Sequence, residues 1–227
     1  LGVASAIIIA SCIKENGVLK ELNLSNNNLC LDDTYNFTAE GITKLCEGLK
    51  GSAVTSLELD ENRLGPEGGA ALAEGLKGNS SLQSLSLTGN GIGDQGASAL
   101  AAVLKETKIE KLELFFNDIG AEGASKLAAI LKETKISKLN VDGHALQIDE
   151  LKGTKPIEKI DLSHQRLGVA SAIIIASCIK ENGVLKELNL AGNQLCGIYY
   201  DNNYGEHKDT YTAEGITKLC EGLKGSA

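Results

Sequence analysis

The chain has 227 residues, a hydrophobic content of 42% and a net charge of −8 from 22 basic and 30 acidic residues. This apolar content is enough to bury a sizeable core, whereas the negative charge argues against a general nucleic-acid or anionic-membrane surface. The longest apolar run, around Ala6–Ile13, is too short to span a bilayer. We therefore expect a protein that binds neither nucleic acid nor membrane.

Six cysteines occur without a C-x-x-C pair, and four of them fall in segments of helical periodicity. Small buried thiols are the expectation for such positions, which favours a reducing, cytoplasmic environment. No signal peptide is visible. The chain begins at Leu1 rather than Met, so a targeting segment upstream stays an open alternative.

In chain order, residues 1–18 predict a helix that lacks a preceding strand. From Leu19 onward, one strand-and-helix unit recurs, mostly at intervals of 27 or 28 residues. Each unit combines an apolar pair at period two with an apolar row at period 3.6, which predicts one short strand and one helix. The units begin at Leu19, Val54, Leu82, Ile109, Ile136, Ile157 and Leu185.

The most complete unit is 54–81, VTSLELDENRLGPEGGAALAEGLKGNSS. Its first half has the pattern L-x-L-x-x-N-x-L, which recurs as LKELNLSNNNL, LQSLSLTGNGI, IEKLELFFNDI, IEKIDLSHQRL and LKELNLAGNQL. These units resemble leucine-rich repeats, specifically the long ribonuclease-inhibitor-like class. The resemblance implies an α/β solenoid, a horseshoe with parallel strands on the concave face and helices on the convex face. We expect residues 1–227 to form a single solenoid of about seven repeats plus an N-terminal half repeat.

A longer duplication lies above the repeat. Residues 1–24 are identical to 167–190, and residues 38–53 are identical to 212–227, with eight extra residues between the two blocks in the second copy. Neither end has a capping unit, so we expect exposed apolar faces there and possible end-to-end contacts. A fragment of a longer array and an engineered sequence are both compatible with this duplication.

The unit 136–156 is too short for a normal helix, and we expect an irregularity of the solenoid there. In the family, the Asn of each unit lines an internal ladder and bonds the backbone of the turn. Here it is Asn27, Asn62, Asn90, Asn117 and Asn193. His144 and Gln165 take the Asn place in the two remaining units.

Two insertions, Cys30 to Phe37 and Cys196 to Tyr211, follow the strands on one edge of the predicted horseshoe. The second is rich in aromatic residues in a chain that has few, and we consider Tyr199, Tyr200 and Tyr204 candidate contacts. A self-packed surface loop is the alternative. Its Asp and Asn residues suggest calcium only loosely, because their spacing does not match an EF-hand loop.

Strand alternation places the remaining candidates on the concave face. Phe115 and Phe116 are adjacent, so both cannot be core residues of a strand, and one should face outward. We expect a row of Lys111, Lys138 and Lys159 beside acidic residues, which suggests a protein-binding site centred on 111–116 and 138–142. The acidic candidates are Glu58, Asp60, Glu113, Asp142 and Asp161. Alternatively, lysines and acids pair across neighbouring strands and the Phe fills a local gap.

No nucleophile with a base and no phosphate loop has recognisable spacing, so we expect no enzymatic activity and no cofactor. His144 and His164 lie near Asp142 and Asp161 on neighbouring predicted units, a weak indication of metal. The sequence best predicts a protein-interaction scaffold that binds through the concave sheet and the strand-edge loops. The alternatives are a fragment of a regulatory protein, such as an innate-immune-type receptor array or a GTPase activator, and a structural component of a large assembly.

Overall fold

The computed structural model describes residues 1–32, 34–197 and 211–224. In this part of the chain, three-residue strands alternate with helices. The strands are β1 (Glu21–Asn23), β2 (Ser56–Glu58), β3 (Ser84–Ser86), β4 (Lys111–Glu113), β5 (Lys138–Asn140), β6 (Ala145–Gln147), β7 (Lys159–Asp161) and β8 (Glu187–Asn189). The helices are α1 (Val3–Ile13), α2 (Glu40–Leu49), α3 (Gly65–Leu76), α4 (Gly93–Leu104), α5 (Ala121–Ile130), α6 (Ile148–Lys152), α7 (Val169–Ile179) and α8 (Glu214–Lys224).

Strands β1 to β5 form a parallel sheet in which every strand lies beside the next one along the chain. Equivalent residues of successive units stand opposite each other. The central position of these strands is always a leucine: Leu22, Leu57, Leu85, Leu112 and Leu139. With one helix following most strands, the predicted α/β solenoid is confirmed.

The unit 54–81 shows why the pattern folds this way. Leu57 and Leu59 point into the core and are fully buried, whereas Glu58 between them is exposed, as strand alternation requires. Helix α3 begins with Pro66 in its first turn, where a missing N–H costs nothing. Leu72 then falls on the buried face of the helix. One core cluster of such residues extends from α1 to α8.

Close packing of neighbouring helices depends on small residues. A Cβ added at Gly48 in α2 would lie 2.3 Å from the carbonyl oxygen of Ala10 in α1. The duplicated pair repeats this approach, since a Cβ at Gly222 would lie 2.4 Å from the carbonyl oxygen of Ala176. A side chain at either glycine would push the two helices apart.

The internal Asn residues tie successive units together. Asn62, Asn90 and Asn117 are buried, and the side-chain amide of Asn90 donates to the carbonyl oxygens of Leu59 (2.9 Å) and Leu87 (2.8 Å). The backbone N–H of Asn62 in turn donates to Asn90 Oδ1 at 3.0 Å. The amides thus satisfy buried backbone groups in two units at once.

The solenoid changes at unit 136–156. After β5 the chain turns back, and β6 pairs antiparallel with β5. Helix α6 has only five residues, so α5 packs directly against α7. Strands β7 and β8 form a separate parallel pair.

This change corrects the expectation that His144 takes the Asn place in the ladder. His144 lies half-buried in the turn before β6, and the structure gives it no hydrogen bond to the ladder. Gln165 is exposed, and its side-chain amide donates to the carbonyl oxygen of Ser163 at 3.0 Å. His144 does not replace a ladder asparagine, because β6 occupies the place of the next parallel strand. Gln165 does take the Asn place, since its backbone N–H donates to Asn193 Oδ1 at 3.0 Å, as that of Asn62 does to Asn90.

Within the described residues, no helix combines the length and apolar character that crossing a membrane requires. All six cysteines are free thiols. Burial raises the pKa of Cys30, Cys46 and Cys178 to about 12, so these thiols stay protonated and pack as small apolar groups. Cys12 and Cys220, in the outermost described helices, are exposed.

Candidate protein-interaction site

Phe115 and Phe116 follow β4 at the turn that leads towards α5. Phe115 is half-buried, and its ring lies over Gly143, where an added Cβ would come within 3.0 Å of the ring. Phe116 is 68% exposed. The two ring centroids are 3.9 Å apart with an interplanar angle of 35°. Phe115 therefore supports Phe116 from below, and Phe116 presents its ring to solvent.

The backbone of Phe116 is in the left-handed region, with φ of 52°. Every other unit has a positive φ at the equivalent position, and three of these units place glycine there. The equivalent residues are Asn26, Glu61, Gly89, Gly143, His164 and Gly192. A bulky aromatic residue is unfavourable in this conformation. Because most of the Phe116 ring is exposed, its burial does not offset this cost. Stability of the isolated chain does not explain Phe116.

Beside the Phe pair lies an open cleft of about 380 Å³. Its walls come from the turn after β4, from Asp142 in the irregular unit, and from Arg166 and Gln194 in the two units beyond it. Gly197, the last described residue before the segment 198–210, also lines this cleft. The irregular unit thus opens a space between the Phe pair and a guanidinium group that is itself exposed.

Lys111 and Lys138 stand directly opposite each other on β4 and β5, and both are exposed. Neither forms an ion pair with any of the described residues. Like charges directly opposite on neighbouring strands are destabilising. These two lysines therefore form an unneutralised cationic pair on the same sheet as the Phe pair.

The expected row of three lysines is wrong at its third member. The neighbour of Lys138 on the far side is Gln147 of β6, and Lys159 belongs to the second sheet. Lys159 is also neutralised, because its Nζ lies 2.6 Å from Glu187 Oε2 on β8. Lys159 therefore follows the alternative in which lysines and acids pair across neighbouring strands, whereas Lys111 and Lys138 form no such pair with the described residues.

Asp142 has a structural contact that the sequence did not indicate. Its Oδ2 accepts hydrogen bonds from the backbone N–H groups of Gly168 (2.8 Å) and Ser171 (3.0 Å) at the start of α7. Asp94 makes the same kind of contact with Gly120 and Gly123 at the start of α5. A carboxylate at a helix N-terminus satisfies orphan amides and opposes the positive end of the dipole.

The other acidic candidates differ in how free they are. Glu113 is half-buried on β4. Glu58 accepts a hydrogen bond from Asn23 Nδ2, and Asp60 accepts from Thr88 N at 2.8 Å. Hydrogen bonds from Ser163 hold the pKa of the exposed Asp161 carboxyl below its ordinary value. Glu58, Asp60 and Asp161 thus bond along the sheet, whereas the Glu113 side chain forms no hydrogen bond or ion pair with the described residues.

The first insertion, Cys30 to Phe37, is organised around Asp32. Its Oδ1 accepts from the backbone N–H of Thr34 (2.8 Å) and Asn36 (2.9 Å). The Thr34 hydroxyl also donates to Asp32 Oδ1. This side-chain bond is the largest cause of the lowered pKa of Asp32, and the backbone bonds add to it. In the second insertion, Tyr199, Tyr200, Tyr204 and the four residues considered for calcium lie outside the described residues.

Among the residues that the structure does describe, no three His, Cys, Asp or Glu side chains come close enough to hold a metal ion. Sequence reasoning missed the left-handed backbone of Phe116, which was detectable in principle. Aligning the repeats places Phe116 with Gly89 and Gly192, and glycine at a fixed turn position indicates positive φ.

Repeated strand–helix units around one core define a solenoid-type repeat protein. Comparison with protein families identifies the repeat: a Leucine Rich repeat model matches residues 53–73, 78–101 and 105–128, and a second Leucine Rich Repeat model matches residues 18–38. The chain therefore contains leucine-rich repeats.

Two solved structures are similar to the chain at 16% sequence identity. The actin-binding site 2 of leiomodin-1 aligns over 99% of this chain and 88% of that one, with a TM-score of 0.42. The C-terminal domain of tropomodulin from Caenorhabditis elegans aligns over 99% and 92%, with a TM-score of 0.38. No curated protein matches the chain. At this identity and these TM-scores, neither structure assigns a function.

Proposed function

We propose that the chain is a non-enzymatic protein-interaction module and that its main contact is the Phe patch, defined as Phe115, Phe116, Lys111 and Lys138. The observation that carries the proposal is Phe116. It is a largely exposed aromatic ring on a left-handed backbone, at a position where three other units use glycine. Aromatic residues supported from below are typical binding hot spots.

The charges around the Phe patch specify the chemistry of the partner. Lys111 and Lys138 are unpaired and adjacent, so a carboxylate placed over both would relieve their mutual repulsion. The exposed ring of Phe116 adds an apolar contact at the end of the same strand. The partner surface that fits best presents an apolar side chain close to one or more acidic residues.

We extend the proposal to the setting of the protein. The three thiols whose pKa is raised by burial support a reducing, cytoplasmic environment. The alternation of one short strand with a helix of 10 to 12 residues in α2 to α5 supports the ribonuclease-inhibitor-like class of repeat. Curved sheets of stacked repeats are suited to contact one extended partner surface.

Affinity capture from a native lysate, with the wild-type chain and the Phe116→Gly variant as baits, tests the proposal. Glycine suits the left-handed backbone, so the variant should fold at least as stably as the wild type. We expect it to lose the partners that the wild type retains. Glu61→Gly is the matched control, because Glu61 holds the same left-handed position in another unit and is also exposed.

The controls separate a binding effect from a folding effect. All three proteins should show the same cooperative unfolding, and Glu61→Gly should capture the same partners as the wild type. Retention of every partner by Phe116→Gly would remove Phe116 from the interface and refute the proposed site. Substitution of both Lys111 and Lys138 by serine tests the cationic pair separately. If the pair contributes to binding, capture should weaken, and the difference from the wild type should become smaller at high salt.

A further inference from the structure

The irregular unit leaves two strand edges facing one cleft. Strand β6 uses one edge to pair with β5, and β7 uses one edge to pair with β8. Within the described residues, neither strand has a partner on its other edge. By contrast, each of the strands β2 to β5 has a neighbour on both sides.

The backbone groups on these edges follow from the pairing pattern. Ile148 N–H donates to the carbonyl oxygen of Ser137 on β5 at 2.8 Å, so alternate residues of β6, namely Gln147 and Ala145, direct their backbone groups away from β5. On β7, Asp161 is the counterpart of Glu58, whose carbonyl oxygen accepts from Leu24 N–H of the preceding strand at 2.8 Å. No described strand supplies that donor to Asp161.

A cleft of about 530 Å³ lies between the two edges, lined by Gln147 of β6, by Lys159 and Ile160 of β7, and by Leu151 of α6. The core below it is less well covered than elsewhere. Ile160 and Leu162 are 8% and 7% exposed, whereas the equivalent leucines of β2 to β4 are at 0%. The site thus offers two rows of backbone hydrogen-bonding groups above an apolar floor.

We propose that this cleft, here named the strand slot (Ala145–Gln147 and 159–161), binds an extended segment of a partner polypeptide as an additional β-strand. Only a polypeptide backbone supplies donors and acceptors to both rows at once. The added strand lies parallel to β7 and antiparallel to β6. Its central side chain points into the cleft between Leu146 and Ile160, and its two neighbours point to solvent.

The sequence pattern of the occupant follows from this geometry. It is polar–aliphatic–polar, the same pattern as Lys111–Glu113 and Lys159–Asp161 in the chain itself. The strand slot lies at the break in the sheet and includes none of the residues of the Phe patch. The inference therefore does not rest on the function proposed above.

A synthetic peptide of sequence LKELNL, acetylated and amidated, is a suitable probe because it copies residues 19–24, which form a strand in this fold. Binding is followed by NMR on the backbone amides of Gln147, Lys159 and Asp161. We expect these amides to exchange rapidly in the free chain and to become protected when the peptide is added. The same peptide N-methylated at its central leucine should not bind, because it lacks the N–H needed for pairing.

Two variants test the slot from the side of the protein. Gln147→Pro removes an edge N–H at a residue whose φ of −84° is close to the value proline requires, so the fold should persist. We expect it to weaken peptide binding by about tenfold or more. Gln147→Ala is the control, since it keeps the N–H and removes only the side chain, whose amide donates to the Ala145 carbonyl oxygen at 3.3 Å. It should bind the peptide at least as well as the wild type.

Three results would overturn the inference. The first is an absence of peptide binding to the wild-type chain at millimolar concentration. The second is equal binding by Gln147→Pro. The third is strong protection of the Gln147 and Asp161 amides in the free chain, because the two edges would then already be paired. Phe116→Gly should bind the peptide like the wild type, so this test is separate from that of the Phe patch.

Discussion

The same 24-residue sequence occurs twice in this molecule, as residues 1–24 and 167–190, in two different environments. Helix α7 lies between α5 and α8, whereas α1 packs mainly against α2 among the described elements. Ile174 is fully buried, and its counterpart Ile8 is 63% exposed. Both copies nevertheless form a helix of 11 residues followed by a three-residue strand.

The two copies show which features the local sequence determines and which the neighbouring units determine. Because the two helices have the same bounds within the repeat, the local sequence is sufficient to specify where helix and strand occur. Burial, however, is decided by neighbours, and identical side chains contribute to stability in one copy and not in the other. The contribution of a residue to the stability of a solenoid therefore depends on the place of its unit in the stack.

The largest expected difference between the copies is at the central isoleucine. Ile174→Ala should lower the free energy of unfolding by about 2–5 kcal/mol, because it leaves a cavity between packed helices. Ile8→Ala should change it by less than about 0.5 kcal/mol, because the side chain is already in water. Denaturant unfolding of both variants measures this directly. Equal effects at the two sites would mean that α1 is covered in solution.

A smaller difference is expected at the asparagine that follows each helix. The Asn182 side chain accepts from the backbone N–H groups of Val184 and Leu185 and donates to the carbonyl oxygens of Glu150 and Leu151 in α6. Asn182→Ala removes the turn bonds and takes from the Leu151 carbonyl oxygen the partner that Asn182 supplies, whereas the Glu150 carbonyl oxygen still accepts from Gly153 N–H at 3.1 Å. The substitution should cost about 2–3 kcal/mol.

Asn16 provides the matched control for that substitution. It accepts from Val18 and Leu19 in the same way, but its amide donates to no described carbonyl. Asn16→Ala should therefore cost about 1 kcal/mol, the value of the turn alone. If the two substitutions were equally costly in denaturant unfolding, the bonds to α6 would contribute nothing to stability.

The two copies also indicate which features of the fold the sequence predicts. The repeat pattern specifies strands, helices and the buried leucines, because each unit carries its own periodicity. The short unit 136–156 indicates too little chain for a full helix, yet nothing in its composition indicates that the chain turns back as the antiparallel β6. That choice depends on α5 packing directly against α7, which is a long-range contact.

The candidate site was predictable only in part for the same reason. Phe115 and Phe116 stand out because adjacent aromatics break strand alternation. By contrast, nothing in the sequence distinguishes Asp142 from an ordinary surface carboxylate. Only the fold brings its side chain to the backbone N–H groups of Gly168 and Ser171. The separation of Lys159 from Lys138 likewise follows from β6, not from the spacing of the lysines.

The smallest expected difference concerns a surface charge. Glu181 Oε1 lies 2.5 Å from Lys132 Nζ, and this contact holds the pKa of Glu181 below its ordinary value. Glu15, its counterpart in the first copy, forms no ion pair with the described residues. The lowered pKa means that the ion pair stabilises the fold above the unfolded-state pKa of glutamate and loses this effect as the pH falls through the folded-state value.

Lys132→Met should raise the pKa of Glu181 towards its ordinary value, whereas Lys132→Arg should keep it low. Carboxyl NMR between about pH 2 and 6 measures the titration in each variant. Stability at neutral pH should hardly change, because both side chains are exposed and solvent screens the pair. An unchanged Glu181 pKa in Lys132→Met would assign the shift to the neighbouring charge of Lys180, and the ion pair with Lys132 would then not distinguish the two copies.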